Sequence, residues 1–271
     1  MDGSPSNDHV LAVKNKIEAI PGAMRNMGWR VSAELMERWL RSPPWVLPAV
    51  WKSTSPPDPG TLPSVHLDQG IVRMSWAMAN PRFRSAINEL RTNMANGPAR
   101  DVLRDRLDDL SWGSSSCLPF GSLQHSAVKL DQTCQSNVRS FGGTMDKMDD
   151  LYGGLGIATL KVALIGEVTR DARTGRRALK VSHAGFYIRD TYDFNGIQYL
   201  GVWTKSGVLS KTRMLMNTLS DGLAARLSGE VIGNVFNHDF ETYRRLTGLG
   251  GDFVIYSDVY WEPVNFVLDL T

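Results

Sequence analysis

Phe186-Tyr187-Ile188-Arg189-Asp190-Thr191-Tyr192-Asp193-Phe194 runs into Asn195-Gly196, and Ile197-Gln198-Tyr199-Leu200-Gly201-Val202-Trp203 follows. Two runs rich in β-branched and aromatic residues thus flank an Asn-Gly pair. That pair favours a type I′ turn, which needs positive φ at both central residues, so the stretch predicts a β-hairpin. A turn at Asn195-Gly196 places Phe194 opposite Ile197, Tyr192 opposite Tyr199, Asp190 opposite Gly201 and Ile188 opposite Trp203. These pairs share one face, which is apolar or aromatic except at Asp190. A carboxylate on such a face must find a partner or shift its pKa. The other face, with Arg189, Thr191, Asp193 and Gln198, reads as solvated.

The rest of the chain frames this stretch. Its 271 residues suffice for one large domain or two small ones, and 42% hydrophobic content supports a packed core. The net charge of +2, from 30 basic and 28 acidic residues, argues against a dedicated nucleic-acid binder. No apolar run reaches membrane-spanning length, and the polar N-terminus has no signal-peptide core. The expectation is synthesis in the cytoplasm, with any export by a route that reads no cleaved signal. Cys117 and Cys134 are too far apart in sequence for a CxxC pair. Two buried free thiols are the favoured reading, with a disulfide as the alternative.

In chain order the first half reads as helical. Val31, Leu35, Met36, Trp39 and Leu40 recur at helical spacing, and Pro43-Pro44 ends that helix. Residues 43–63 form a proline-rich connector that packs down through Trp45 and Trp51. Residues 71–78 suit either a helix or a strand, and helices follow over 82–94 and 99–110. Residues 113–143 read as loop with short elements, and the boundary between an N-terminal region (1–143) and a C-terminal one (144–271) is set at Gly142-Gly143. The second half reads mostly as strands: 159–168, a charged turn holding Thr174-Gly175, then 178–182 leading into the hairpin. Helices are expected over 211–227 and from Asn237 or Asp239 to Gly248, and strands over 252–258 and 260–268.

Chemistry-bearing residues are sparse. Five histidines show no metal-ligand spacing, and only His183 and His238 lie in the strand-rich half. Gly250-Gly251-Asp252-Phe253 is similar to the signature of cyclic-dinucleotide synthases, but lacks its acidic residue before the phenylalanine. Its glycines read as a tight entry into a strand.

The segment Asp190-Thr191-Tyr192-Asp193-Phe194-Asn195, continuing to Gly201, resembles the Asp-x-Tyr-Asp-Phe-Asn segment of the colicin M catalytic domain. A looser similarity covers 243–258. Ile20-Pro21 to Trp39, Asp150-Leu151-Tyr152, Leu155-Gly156, the Asp190 segment and Gly250 to Phe253 together resemble a bacterial family of unassigned chemistry associated with type VI secretion gene clusters. The chain reads as an α+β protein, a helical N-terminal region followed by a mostly antiparallel β C-terminal region, and the first resemblance implies that the latter is colicin M-like. It also implies a hydrolase that cleaves lipid II, the lipid-linked peptidoglycan precursor, with a divalent metal such as Mg2+. Carried over by position, Asp190, Tyr192 and Asp193 match, with Asp190 and Asp193 as metal ligands. The family's histidine and arginine positions fall on Tyr199 and Leu200. Tyrosine, with an ordinary pKa near 10, is a poor general base at neutral pH, so His183 or His238 would have to take that role.

Two readings follow. One is an antibacterial toxin, a type VI secretion effector made without a signal peptide and acting in the target-cell periplasm. Its partners would be a secretion-apparatus component, the lipid-linked envelope precursor and a cognate immunity protein, with no nucleic acid. The other is a non-enzymatic effector adaptor or binding module that keeps the fold without the catalytic histidine.

Overall fold

A computed structural model describes residues 7–53, 56–113, 115–143, 146–195, 199–208 and 231–270. The chain forms two compact units, each assembled from three stretches. Unit 1 takes Met1–Ala49, Met145–Gly156 and Thr191–Phe253; unit 2 takes Val50–Thr144, Ile157–Asp190 and Val254–Thr271. The secondary structure is that of an α+β protein.

Unit 1 is led by helices α1 (Asn7–Glu18), α2 (Ile20–Asn26) and α3 (Arg30–Arg41). In α3, Ser32, Ala33, Leu35, Met36, Trp39 and Leu40 are buried, the one-sided stripe that i, i+3, i+4 spacing makes. Its N-terminus is held by Asp150, which accepts from Val31 N at 3.2 Å and Ser32 N at 2.9 Å. A carboxylate there satisfies orphan N–H groups and opposes the positive end of the helix dipole. Asp150 opens the short helix α8 (Asp150–Leu155), so α8 and α3 are locked together. Ser42 then turns extended (ψ 145), as the residue before a proline prefers.

Unit 2 is built on a seven-stranded sheet. Its centre is a long antiparallel pair, β4 (Ala158–Arg170) and β5 (Arg177–Tyr192), in register from Thr159 opposite Arg189 to Arg170 opposite Arg177. Asp171 makes the turn, accepting from Arg173 N, Thr174 N and Thr174 Oγ1. The outer side of β4 carries β2 (Cys117–Phe120) and β3 (Gln135–Phe141). The outer side of β5 carries β10 (Tyr260–Asp269) and β9 (Phe253–Tyr256), and β1 (Leu67–Asp68) adds in parallel to β9. Helices α4 (Met74–Met78), α5 (Pro81–Asn93), α6 (Gly97–Asp108) and α7 (Ala127–Thr133) complete the unit. Residues 74–78 are thus helical, which periodicity left open. Both cysteines are free; Cys134 is buried as expected, but Cys117 is exposed.

The hairpin expected at Asn195-Gly196 does not form. β6 (Tyr199–Thr204) belongs to a separate three-stranded sheet with β7 (Gly207–Val208) and β8 (Val231–Phe236). Tyr199 lies opposite Phe236, Gly201 opposite Val235 and Trp203 opposite Gly233, so neither Tyr192–Tyr199 nor Asp190–Gly201 is a cross-strand pair. β5 instead pairs with β4 along one edge as far as Arg189 and with β9 and β10 along the other. The hairpin exists one strand earlier, at the charged turn 171–176. Gly196, Ile197 and Gln198 lie outside the described residues, as does the helix expected over 211–227. The helix expected near residue 237 is present as α9 (Asn237–Thr247). Asp239 accepts from Phe236 N at 2.8 Å at its start, and Gly248 (φ 66) ends it in the left-handed region.

Candidate functional site

The sequence proposed five site residues, and the two units divide them. His183 and Asp190 fall in unit 2, and Tyr192, Asp193 and His238 in unit 1. Within unit 2, His183 and Asp190 both lie on β5. Seven residues of strand separate them by about 23 Å, so His183 is no base for a reaction at Asp190. Its Nδ1 lies 3.1 Å from Ser182 Oγ. In unit 1, His238 is exposed and stacks on Phe236 at 5.3 Å.

The 191–195 stretch is turned into the fold of unit 1. Tyr192 is 7% exposed, and its ring stacks on Phe253 at 5.2 Å. Phe194 stacks on Phe240 at 3.9 Å and meets Trp39 edge-on at 5.2 Å. Asp193 accepts from Thr191 Oγ1 at 3.1 Å and Asn195 Nδ2 at 3.2 Å. Among the described residues, no three His, Cys, Asp or Glu side chains converge to hold a metal ion.

The densest polar clusters are elsewhere, each around a buried carboxylate. In unit 1 that residue is Asp252, 1% exposed. Its Oδ1 accepts from Trp39 Nε1 at 2.9 Å and from Arg244 Nη2; its Oδ2 accepts from Leu47 N at 2.9 Å and Asn195 Nδ2 at 3.1 Å. Arg244 also donates Nε to Gly250 O at 2.6 Å and sits over the Trp39 ring at 5.3 Å. The preceding glycines are steric requirements. A Cβ on Gly250 (φ +96) would lie 2.5 Å from the Trp39 ring, and one on Gly251 would lie 2.2 Å from Pro43 O. The tetrapeptide read as a strand entry is therefore a clip tying α3, the 43–47 stretch, Asn195 and α9 to one carboxylate.

In unit 2 the carboxylate is Asp131 of α7, 7% exposed. Its Oδ1 accepts from Lys161 Nζ at 2.6 Å and Tyr187 Oη at 2.9 Å, and its Oδ2 from Tyr256 Oη at 2.6 Å. Burial pushes both phenols well above the usual tyrosine range, and the Asp131 charge pushes the same way. Burial pulls Lys161 below the usual lysine range, against the attraction of Asp131; Arg189 and Arg106 add to the fall. Arg189 is 7% exposed, not solvated as its strand face suggested. It donates Nη2 to Trp51 O at 2.8 Å.

Sequence reading missed both centres. A usable signal was present for one: Lys161 interrupts an apolar run, Leu160-Lys161-Val162, where a lysine has to find a carboxylate. Nothing local marked Asp131, since its partners come from β4, β5 and β9.

No helix among the described residues is long and apolar enough to cross a membrane. No curated protein and no solved structure matches the chain. A family profile does match it across residues 15–270, and the chain therefore belongs to that family, DUF6402, a family of unknown function.

Proposed function

We propose that this protein is a binding module, an adaptor of type VI secretion effectors, in which the 190–195 segment serves the fold instead of hydrolysing a lipid-linked precursor. The stacking of Tyr192 on Phe253 carries this reading, because a phenol packed on a ring in the interior is poorly placed to serve a substrate. Supporting it, Phe194 is a core residue, and the Asn195 amide is spent on Asp193 and Asp252. The secretion setting rests on the family resemblance of the sequence.

The rival is the lipid II hydrolase acting in the target-cell periplasm, with Asp190 and Asp193 on Mg2+ and an immunity protein as antagonist. The half-buried Asp190 and Asp193 keep two carboxylates within four residues, which is what favours it. The deciding experiment expresses the chain with and without an added export signal and follows growth. The adaptor reading expects normal growth in both cases, and capture of a secreted effector from cells that carry the matching cluster. Lysis only on export, abolished by Asp190→Asn in a protein of unchanged melting temperature, would establish the hydrolase instead.

A further inference from the structure

We propose that the exposed ridge of Pro44, Val46 and Pro48 in unit 1 is a docking site for a partner protein that offers an aromatic-lined groove with a carboxylate at one end. The proline-rich connector packs down on one side only. It leaves α3 extended, from Ser42 (φ −72, ψ 145), and runs beside Gly251 and Asp252. Asp252 N donates to Trp45 O at 3.0 Å, and Leu47 N donates to Asp252 Oδ2 at 2.9 Å. Leu47 is 3% exposed. Alternate residues of extended backbone point to opposite sides, so Pro44, Val46 and Pro48 share the outward one. All three are exposed, Val46 by 54%. They make an apolar row about 13 Å long with no polar side chain in it.

The row is set before any partner arrives. Its prolines fix φ, and the two bonds with Asp252 hold its backbone, so docking costs little chain entropy. Strand addition is not what it offers. Trp45 O and Leu47 N face Asp252, so the opposite edge belongs to residues 44, 46 and 48. Of these, Val46 alone has an N–H, and a partner strand would find a single donor. Recognition therefore falls to the side chains, and rigid proline-rich chain is recognised by grooves lined with aromatic rings. Arg41 marks one end. It is the last residue of α3, exposed, and paired with no carboxylate among the described residues, so an acidic residue of the partner would complement it. One arginine and three small apolar side chains fall short of what anchoring to a lipid surface takes. The inference rests on the binding-module reading, for which it supplies the surface.

The test uses the full chain in cells that carry the matching secretion cluster. A photo-crosslinking amino acid replaces Val46 or, as a control on unit 2, Val267, which is 64% exposed. One dominant protein adduct is expected from position 46 and not from position 267, with its crosslinked peptide in an aromatic-lined groove of the captured protein. That protein is then purified and titrated against the purified chain by calorimetry. Val46→Glu, and separately Pro44→Ala with Pro48→Ala, should weaken binding at least about tenfold at an unchanged melting temperature. Arg41→Gln should weaken it less and make it less sensitive to salt. Adducts to lipid alone, to a second copy of the chain alone, or to nothing would overturn the ridge. So would an affinity unchanged in both ridge variants. Effector capture that survives Val46→Glu would sink the ridge and leave the adaptor reading standing. Absence of any captured effector, with lysis on export, would sink that reading itself.

Discussion

The two units solve the same problem, a carboxylate out of water, with different results. Asp252 faces one guanidinium and three neutral donors: an indole, a backbone N–H and an amide. Its charge is matched one to one, and every donor comes from a different stretch of chain. Asp131 faces an ammonium and two phenols, and Arg189 joins the same cluster through the Tyr256 phenol and Trp51 O. A balanced centre needs nothing further, so Asp252 reads as structure. The Asp131 centre takes its counter-charge from a lysine, which can shed its proton, where Asp252 takes it from an arginine, which cannot.

The largest expected effect falls on the balanced centre. Asp252→Asn keeps the size and most of the hydrogen bonds but strands Arg244, which cannot lose its proton. A loss of about 3 to 5 kcal/mol is expected, read from urea unfolding. Asp131→Asn should cost less, about 2 to 3 kcal/mol, because Lys161 can shed its proton when its partner goes. The difference should narrow at acidic pH, where Lys161 is held charged. If Asp131→Asn is the more damaging at neutral pH, the contrast between the centres is wrong.

The third prediction concerns alkaline pH. Tyr187 and Tyr256 have folded pKa values above the unfolded value near 10, so the native state holds their protons longer. Their contribution is full below pH 10 and falls above it, by at most about 1.4 kcal/mol per pH unit per phenol. Lys161 acts oppositely: its folded pKa is lowered, so its contribution rises with pH and levels off near the unfolded lysine value of about 10.4. The denaturation midpoint should therefore hold up to about pH 10 and then drop. The double change Tyr187→Phe with Tyr256→Phe should flatten that drop. It leaves the slope from Tyr243 in unit 1, whose phenol burial and Glu18 push up to about 12.

The smallest effect is expected at Tyr192. Tyr192→Phe keeps the stack on Phe253, so stability should change by about 1 kcal/mol or less in thermal unfolding. No growth phenotype should change with it. A strong loss of function in this otherwise stable variant would return Tyr192 to the chemistry.

What the sequence determined by itself was local. The α3 stripe, the 171–176 turn, the last strands and the glycine end of α9 were legible because spacing, breakers and turn residues act within a few positions. So was the α+β class. Tertiary structure decided which strand pairs with which. Asn195-Gly196 carries a strong turn preference, but local preference cannot show that β5 already pairs with β4 through the turn before it and with β9 and β10 from the far end of the chain. The same holds for the polar centres. Asp131 and Asp252 gather donors from residues up to 213 positions away, so the cost of burying each charge is met by partners that only the folded chain brings into reach.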